Sequence, residues 1–158
     1  MRQAFVPLAV VLGLMTASDL PAQQTKPPPV RYGIEADLEN YPQADAKTAF
    51  ASVLKAIDNK KIDYLLAQLS DPQWVDNRVQ KVHAGKFDEM VKETTRLMAT
   101  DPTAVDELRR FLREGTWGGD EMEALVSLKD VPDRQVFFRK IEGRWYLKNE
   151  KKGKDKGK

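Results

Sequence analysis

Between residues 42 and 113 the apolar positions recur every three to four residues; past residue 120 they recur every second residue. The first period is that of helices with one buried stripe, the second that of strands with one buried face. From Pro42, "PQADAKTAFASVLKAIDNKK" sets Ala46, Phe50, Val53, Leu54 and Ile57 on one helical face. Either the preset φ of Pro42 or an Asp45 N-cap opens it. "KIDYLLAQLSDP" repeats the pattern with Ile62, Leu65, Leu66 and Leu69 until Ser70-Asp71-Pro72 breaks it, predicting an α-hairpin with its corner at Asp58-Asn59. "QWVDNRVQKVHAGK" fits neither period; Trp74, Val75, Val79 and Val82 predict a short strand or an irregular packed segment. The helical period returns in Phe87, Met90, Val91, Thr94, Leu97 and Met98. Asp101-Pro102 then offers an N-cap followed by proline at the first helical position, Val105, Leu108, Phe111 and Leu112 a stripe, and Gly115 a stop.

In "DEMEALVSLKD" Met122, Ala124, Val126 and Leu128 alternate with polar neighbours and Leu125, which predicts a strand, and Val131-Pro132-Asp133 predicts the turn after it. "RQVFFRKIEGRWYLKN" (134–149) reads as a hairpin with Glu142-Gly143 at its tip. A two-residue loop sets Ile141 opposite Arg144, Lys140 opposite Trp145, Arg139 opposite Tyr146 and Phe138 opposite Leu147. Val136, Phe138, Lys140, Trp145, Leu147 and Asn149 then share one face, with Phe138, Trp145 and Leu147 as core anchors. Phe137, Arg139, Ile141, Arg144, Tyr146 and Lys148 share the other, where Arg139 is able to lie against Tyr146. Helices followed by an antiparallel meander predict an α+β fold with the helices on one face of the sheet.

The two ends carry a different signal. Residues 1–22 have Arg2, an uncharged apolar stretch and then small polar residues, the order of a secretory signal peptide cleaved after Ala22 or nearer Ala17 or Ser18. The stretch is shorter than the roughly 20 apolar residues of a membrane span. The chain is therefore expected to be exported, periplasmic or extracellular, with no transmembrane segment after signal removal. Residues 23–41, with Pro27 to Pro29, predict an extended spacer before a single domain at 42–149. Residues 150–158 have nothing apolar to bury and predict a disordered lysine-rich tail.

Composition narrows the chemistry. The chain has no cysteine, so export brings no disulfide framework and no thiolate metal site. Its net charge is +2, but residues 148–158 hold six lysines against Glu150 and Asp155, and Arg2 and Asp19 cancel, leaving the body from 23 to 147 at −2. A mildly acidic body argues against sequence-specific nucleic-acid binding.

The opening "AIDNKKIDYLLAQLSDP", the helical middle and the closing "FFRKIEGRWYLKN" resemble the nuclear-transport-factor-two-like superfamily, the ketosteroid-isomerase and cystatin-like α+β rolls, and in particular its small exported bacterial members without known activity. The resemblance covers roughly residues 42–149. It implies a curved sheet wrapped over helices as a cone, with a pocket between them that only some members use catalytically. Two helices at 87–113, where many relatives have one helix and strands, depart from that pattern.

No catalytic set is assembled in the sequence. His83 is the only histidine, beside Gly85 in an expected loop, and reads as a solvated surface residue. The acidic clusters at Glu35, Asp37, Glu39 and at Asp120, Glu121, Glu123 lack the calcium-loop spacing and read as solvated faces. "GTWGGD" (115–120) lacks phosphate-loop spacing and reads as a passage from helix to strand. An isomerase-type mechanism needs a carboxylate and a hydroxyl or acid inside an apolar pocket, for which Asp63, Tyr64 and Tyr146 are the candidates. Binding candidates are Phe137, Arg139 and Tyr146, on the hairpin face that a core does not require. The sequence thus predicts an exported, non-catalytic domain, without cofactor or metal, that binds a small apolar ligand or a protein partner. The alternatives are a small pocket enzyme of isomerase or cyclase type, or a cell-envelope adaptor using its basic tail.

Overall fold

Three aspartates start helices. Asp45 Oδ1 accepts the Thr48 N–H at 2.8 Å, Asp71 Oδ1 those of Gln73 and Trp74 at 2.9 and 3.3 Å, and Asp101 Oδ1 that of Ala104 at 3.1 Å. Each satisfies backbone donors that have no partner inside the helix. The computed structural model describes residues 27–149; the signal-peptide and lysine-tail expectations lie outside the described residues. Within them α1 (Ala46–Asp58), α2 (Ile62–Tyr64), α3 (Pro72–Val82), α4 (Phe87–Thr100) and α5 (Pro102–Glu114) precede β1 (Thr116–Gly119), β2 (Glu123–Leu128), β3 (Val131–Ile141) and β4 (Arg144–Lys148). The strands form one antiparallel sheet in the order β1-β2-β3-β4. The protein is α+β.

The hairpin matches the sequence residue for residue: the pairs are Ile141–Arg144, Lys140–Trp145, Arg139–Tyr146 and Phe138–Leu147. Its turn has φ +48° at Glu142 and +81° at Gly143. Two central residues in the left-handed region suit the twist of the flanking strands, which is why a glycine is useful there. The inner face packs on the helices: Phe138 is fully buried, and its ring lies 5.3 Å from Phe50 of α1 and 6.2 Å from Trp117 of β1. Gly115 lets α5 hand over to β1, because a Cβ there would lie 2.2 Å from Val126 Cγ2 and 2.3 Å from the Phe111 oxygen.

Four elements differ from the sequence reading. Residues 72–82, expected as a strand or irregular segment, are a helix: Asp71-Pro72 is an N-cap and first-turn proline as well as a break, and only Val75 and Val79, one turn apart, are fully buried. "TWGG" is itself an edge strand. The turn between β2 and β3 lies at Lys129-Asp130, and residues 132–134 form a bulge, since Ser127 pairs with Gln135 but Leu128 with Val131. The second helix also changes period, α2 running into a π-helical turn at Leu65–Leu69 whose five residues are all buried.

That turn organises the chain before it. Residues 29–41, expected as spacer, are bound to the domain: Tyr41 is buried, Arg31 Nε donates to the Ala67 oxygen at 2.9 Å, and Gln68 Nε2 donates to the oxygens of Pro29 and Ile34. Arg31 also pairs with Asp76 at 2.6 Å, and Tyr32 stacks on Phe87 with ring centroids 4.0 Å apart. Gln43 completes the junction. Its carbonyl accepts the Trp145 N–H at 3.0 Å, while its side-chain amide donates to the oxygens of Trp145 and Gln68 at 2.8 and 3.1 Å. Gln43→Leu would leave both buried carbonyls without that donor, at about 1–3 kcal/mol for each group so exposed. Urea denaturation should show a loss of at least about 2 kcal/mol; a change inside 0.5 kcal/mol, the ordinary surface range of about that size, would refute the interlock.

Candidate functional site

A pocket of about 430 Å³ opens between the helices and the end of the sheet. Its origin is a mismatch in strand length. β3 has eleven residues and β4 five, so pairing stops at Phe137–Lys148 and the first half of β3 runs on without β4 beside it. Val53 and Ile57 of α1 and Leu65 form one wall; Ala104, Leu108 and Phe111 of α5, with Met98 of α4, form the other. Val136, Phe137 and Leu147 supply the sheet side. Charged and amide groups lie where β4 ends: Glu107 paired with Arg134, then Gln135, Lys148 and Asn149. An apolar cavity with a few polar groups at one end is the arrangement of a small-molecule site.

The residues singled out from sequence are distributed differently. Asp63 is exposed, and its carboxylate accepts the N–H of its own neighbour Tyr64 at 2.8 Å. Tyr64 is buried, its hydroxyl accepting the Asp37 N–H at 2.8 Å and its ring tilted against Tyr41 at 4.5 Å. Tyr146 is 2% exposed, so the hairpin face that was to present it is covered at that point. Arg144, not Arg139, lies over its ring, at 5.1 Å. Arg139 instead bridges Glu123, at 3.2 Å, and the buried Asp71, at 3.5 Å. Of the three binding candidates only Phe137 lines the pocket, joined by one core anchor, Leu147; Phe138 and Trp145 are buried in the core.

The remaining polar clusters have structural partners. His83 is not a solvated residue: its side chain is 9% exposed, with Nε2 3.2 Å from Glu93 Oε2. Asp120 Oδ1 accepts the N–H groups of Met122 and Glu123, closing the turn into β2, and Asp37 does the same for Asn40. Those bonds hold both carboxyls below the usual carboxylate range. No group of three or more His, Cys, Asp or Glu among the described residues is placed to hold a metal, and no helix among them is long and apolar enough to cross a membrane.

What the sequence did not mark is the helical wall of the pocket. Leu108 and Phe111 sit on the stripe of α5 that reads as ordinary core, and Met98 on that of α4, while Ala104 was not singled out. The one available signal was the length of the run from Val131 to Ile141 beside the shorter Arg144–Lys148. Comparisons with known proteins add no assignment: no protein-family model, curated protein or solved structure matches this chain.

Three phenols are raised. Partial burial, then the 2.6 Å bond donated to Asp76, pushes Tyr32 up to about 12, and burial raises Tyr64 and Tyr146. A folded pKa above the unfolded value near 10 stabilises the fold fully below pH 10 and ceases to as pH rises through the folded value, for Tyr32 about 12. Phenolate absorbance of the native protein should therefore develop at higher pH than in urea, and Asp76→Asn should bring one tyrosine back down. Superimposable native and urea curves would contradict the placement of these hydroxyls.

Proposed function

We propose that the chain is an exported, non-catalytic binding protein that takes a small apolar ligand in the pocket between α1, α5 and the end of the β3–β4 hairpin. The carrying observation is that pocket, about 430 Å³ with apolar walls and its charged groups gathered at one end. Small-molecule sites run from about 300 to 1,000 Å³, so it suits one compact or single-chain ligand. Burial is worth about 0.8 kcal/mol per methylene, against an association cost of at least about 4 kcal/mol. Ligands with fewer than roughly five methylenes would gain too little to bind.

Binding is favoured over catalysis because the carboxylate and hydroxyl candidates are occupied elsewhere. The Asp63 carboxylate accepts the Tyr64 N–H, the Tyr64 hydroxyl accepts the Asp37 N–H, and Tyr146 is buried and does not line the pocket. Membership of the nuclear-transport-factor-two-like superfamily belongs to the same proposal, supported by helices that precede an antiparallel meander and by a pocket between the two layers. Export rests on the order of residues 1–22.

The test is titration with N-phenyl-1-naphthylamine, a neutral apolar dye that brightens on leaving water. Wild type should bind it, and Ala104→Trp, which places an indole in the pocket from a half-buried position, should weaken binding about tenfold or more. Ala51→Trp, on an exposed position of α1 outside the lining, should not. Both variants should keep the wild-type melting transition. Equal dye affinity in the two variants would overturn the assignment.

A further inference from the structure

We infer that a second pocket, at the tip of the β3–β4 hairpin, binds a free α-amino acid with an apolar side chain, its carboxylate on Arg144 and its ammonium between Gln43 and Glu142. This pocket, of about 280 Å³, shares no residue with the one between α1 and α5. Pro28, Leu38 and Pro42 give it an apolar side, and Gln43, Glu142 and Arg144 a polar one. Small-molecule sites run from about 300 Å³ upward, so only a compact ligand suits it. Arg144 sets the first requirement. It is half-buried, its Nη1 is buried without a hydrogen-bond partner, and it forms no ion pair among the described residues. Its guanidinium lies over the Tyr146 ring at 5.1 Å. That contact uses the flat face of the group, whereas its N–H donors radiate in the plane, so the ring leaves them free. A buried cationic donor calls for an acceptor, and a carboxylate matches a guanidinium in both geometry and charge.

Gln43 sets the second. Its side-chain NH₂ is committed to the carbonyls of Trp145 and Gln68, which fixes Oε1 as the end of the amide left over. Gln43 is buried, and that oxygen has no donor among the described residues. The bonds between Gln43 and Trp145 tether this acceptor to the residue next to Arg144. Glu142, at the exposed tip two residues before Arg144, adds a carboxylate with no ion-pair partner among the described residues. An unpaired cation beside two unpaired acceptors, one of them charged, matches a zwitterion rather than a simple acid or a simple amine. Leu38, 40% exposed, is the apolar surface that the ligand's side chain covers.

The test titrates the full chain by isothermal calorimetry at neutral pH with L-phenylalanine, 3-phenylpropionate and phenethylamine, the last two each lacking one of the two charges. Phenylalanine should bind at least about tenfold more tightly than either. Arg144→Met keeps an aliphatic stem over Tyr146 and removes the buried cation. It should abolish the advantage over phenethylamine while keeping the wild-type melting transition. Glu142→Gln, at an exposed turn position, should reduce the advantage over 3-phenylpropionate by about threefold. Equal binding of 3-phenylpropionate would overturn the ammonium subsite and equal binding of phenethylamine the carboxylate subsite; either sinks the amino-acid assignment. A phenylalanine preference that both substitutions leave intact, or displacement of N-phenyl-1-naphthylamine by phenylalanine, would overturn the placement at the hairpin tip. Binding of none of the three at about 10 mM would remove the second site and leave the apolar pocket between α1 and α5 standing.

Discussion

The fold depends on how β4 is held along the side that β3 does not cover. A four-stranded meander leaves two edges, and an uncovered edge exposes a row of unpaired N–H and C=O groups. β1 is only four residues long and includes two glycines, which limits that edge. β4 has no such protection, and its middle residues are core. Its edge is closed by two pieces of chain that are not strands. Gln43 bonds Trp145 in both directions, and Ser70-Asp71 runs parallel to Leu147, with the Asp71 N–H donated to the Leu147 oxygen at 2.8 Å. These contacts span 102 residues at Gln43, so the sheet edge and the first two helices form as one unit. Gln43 also donates to the Gln68 carbonyl at the end of the π-helical turn, and Arg31 to that of Ala67, supplying donors that the turn itself lacks. Arg31 brings a cation to that helix end, where the backbone dipole favours it.

This arrangement explains which parts of the molecule could be read from its sequence. The β3–β4 register was legible because it is local: Glu142-Gly143 permits a two-residue turn, and the turn fixes every pair beyond it. Helices α1, α4 and α5 were legible because each buries a stripe and has a recognisable start or stop. α3 was not, because only Trp74, Val75, Val79 and Val82 are apolar in it and Val82 is 58% exposed. Asp76, Asn77, Arg78, Gln80 and Lys81 fill most of its other positions, and its clearest mark, Asp71-Pro72, also ends the helix before it. The docked segment at 29–41 was illegible for a different reason. Its affinity for the domain resides in the partners, Ala67, Gln68, Asp76 and Phe87, and no property of a proline-rich stretch reports them.

The candidate site divides the same way. Face alternation correctly placed Phe138 and Trp145 in the core, and it correctly separated Phe137 from them. It failed for Tyr146, because alternation assigns a side chain to a face and cannot say whether that face is covered. Burial of Tyr146 and the bridging of Arg139 between Asp71 and Glu123 both come from elements 68 or more residues away or from across the sheet. The pocket is non-local throughout, drawing its walls from α1, α4, α5 and both strands of the hairpin.

The pocket itself follows from the unequal strands of the hairpin. β4 pairs with β3 as far as Phe137–Lys148, so Val136 has β2 beside it on one side and the pocket on the other. The apolar residues that reach this gap come from α1, α4 and α5, not from a further strand. The one carboxylate among the lining residues, Glu107, is held by Arg134, and the Lys148 ammonium is held by Glu123 at 3.1 Å. An ion left without a partner in such a place would cost several kcal/mol. With both charges paired, what the space presents is its apolar surface.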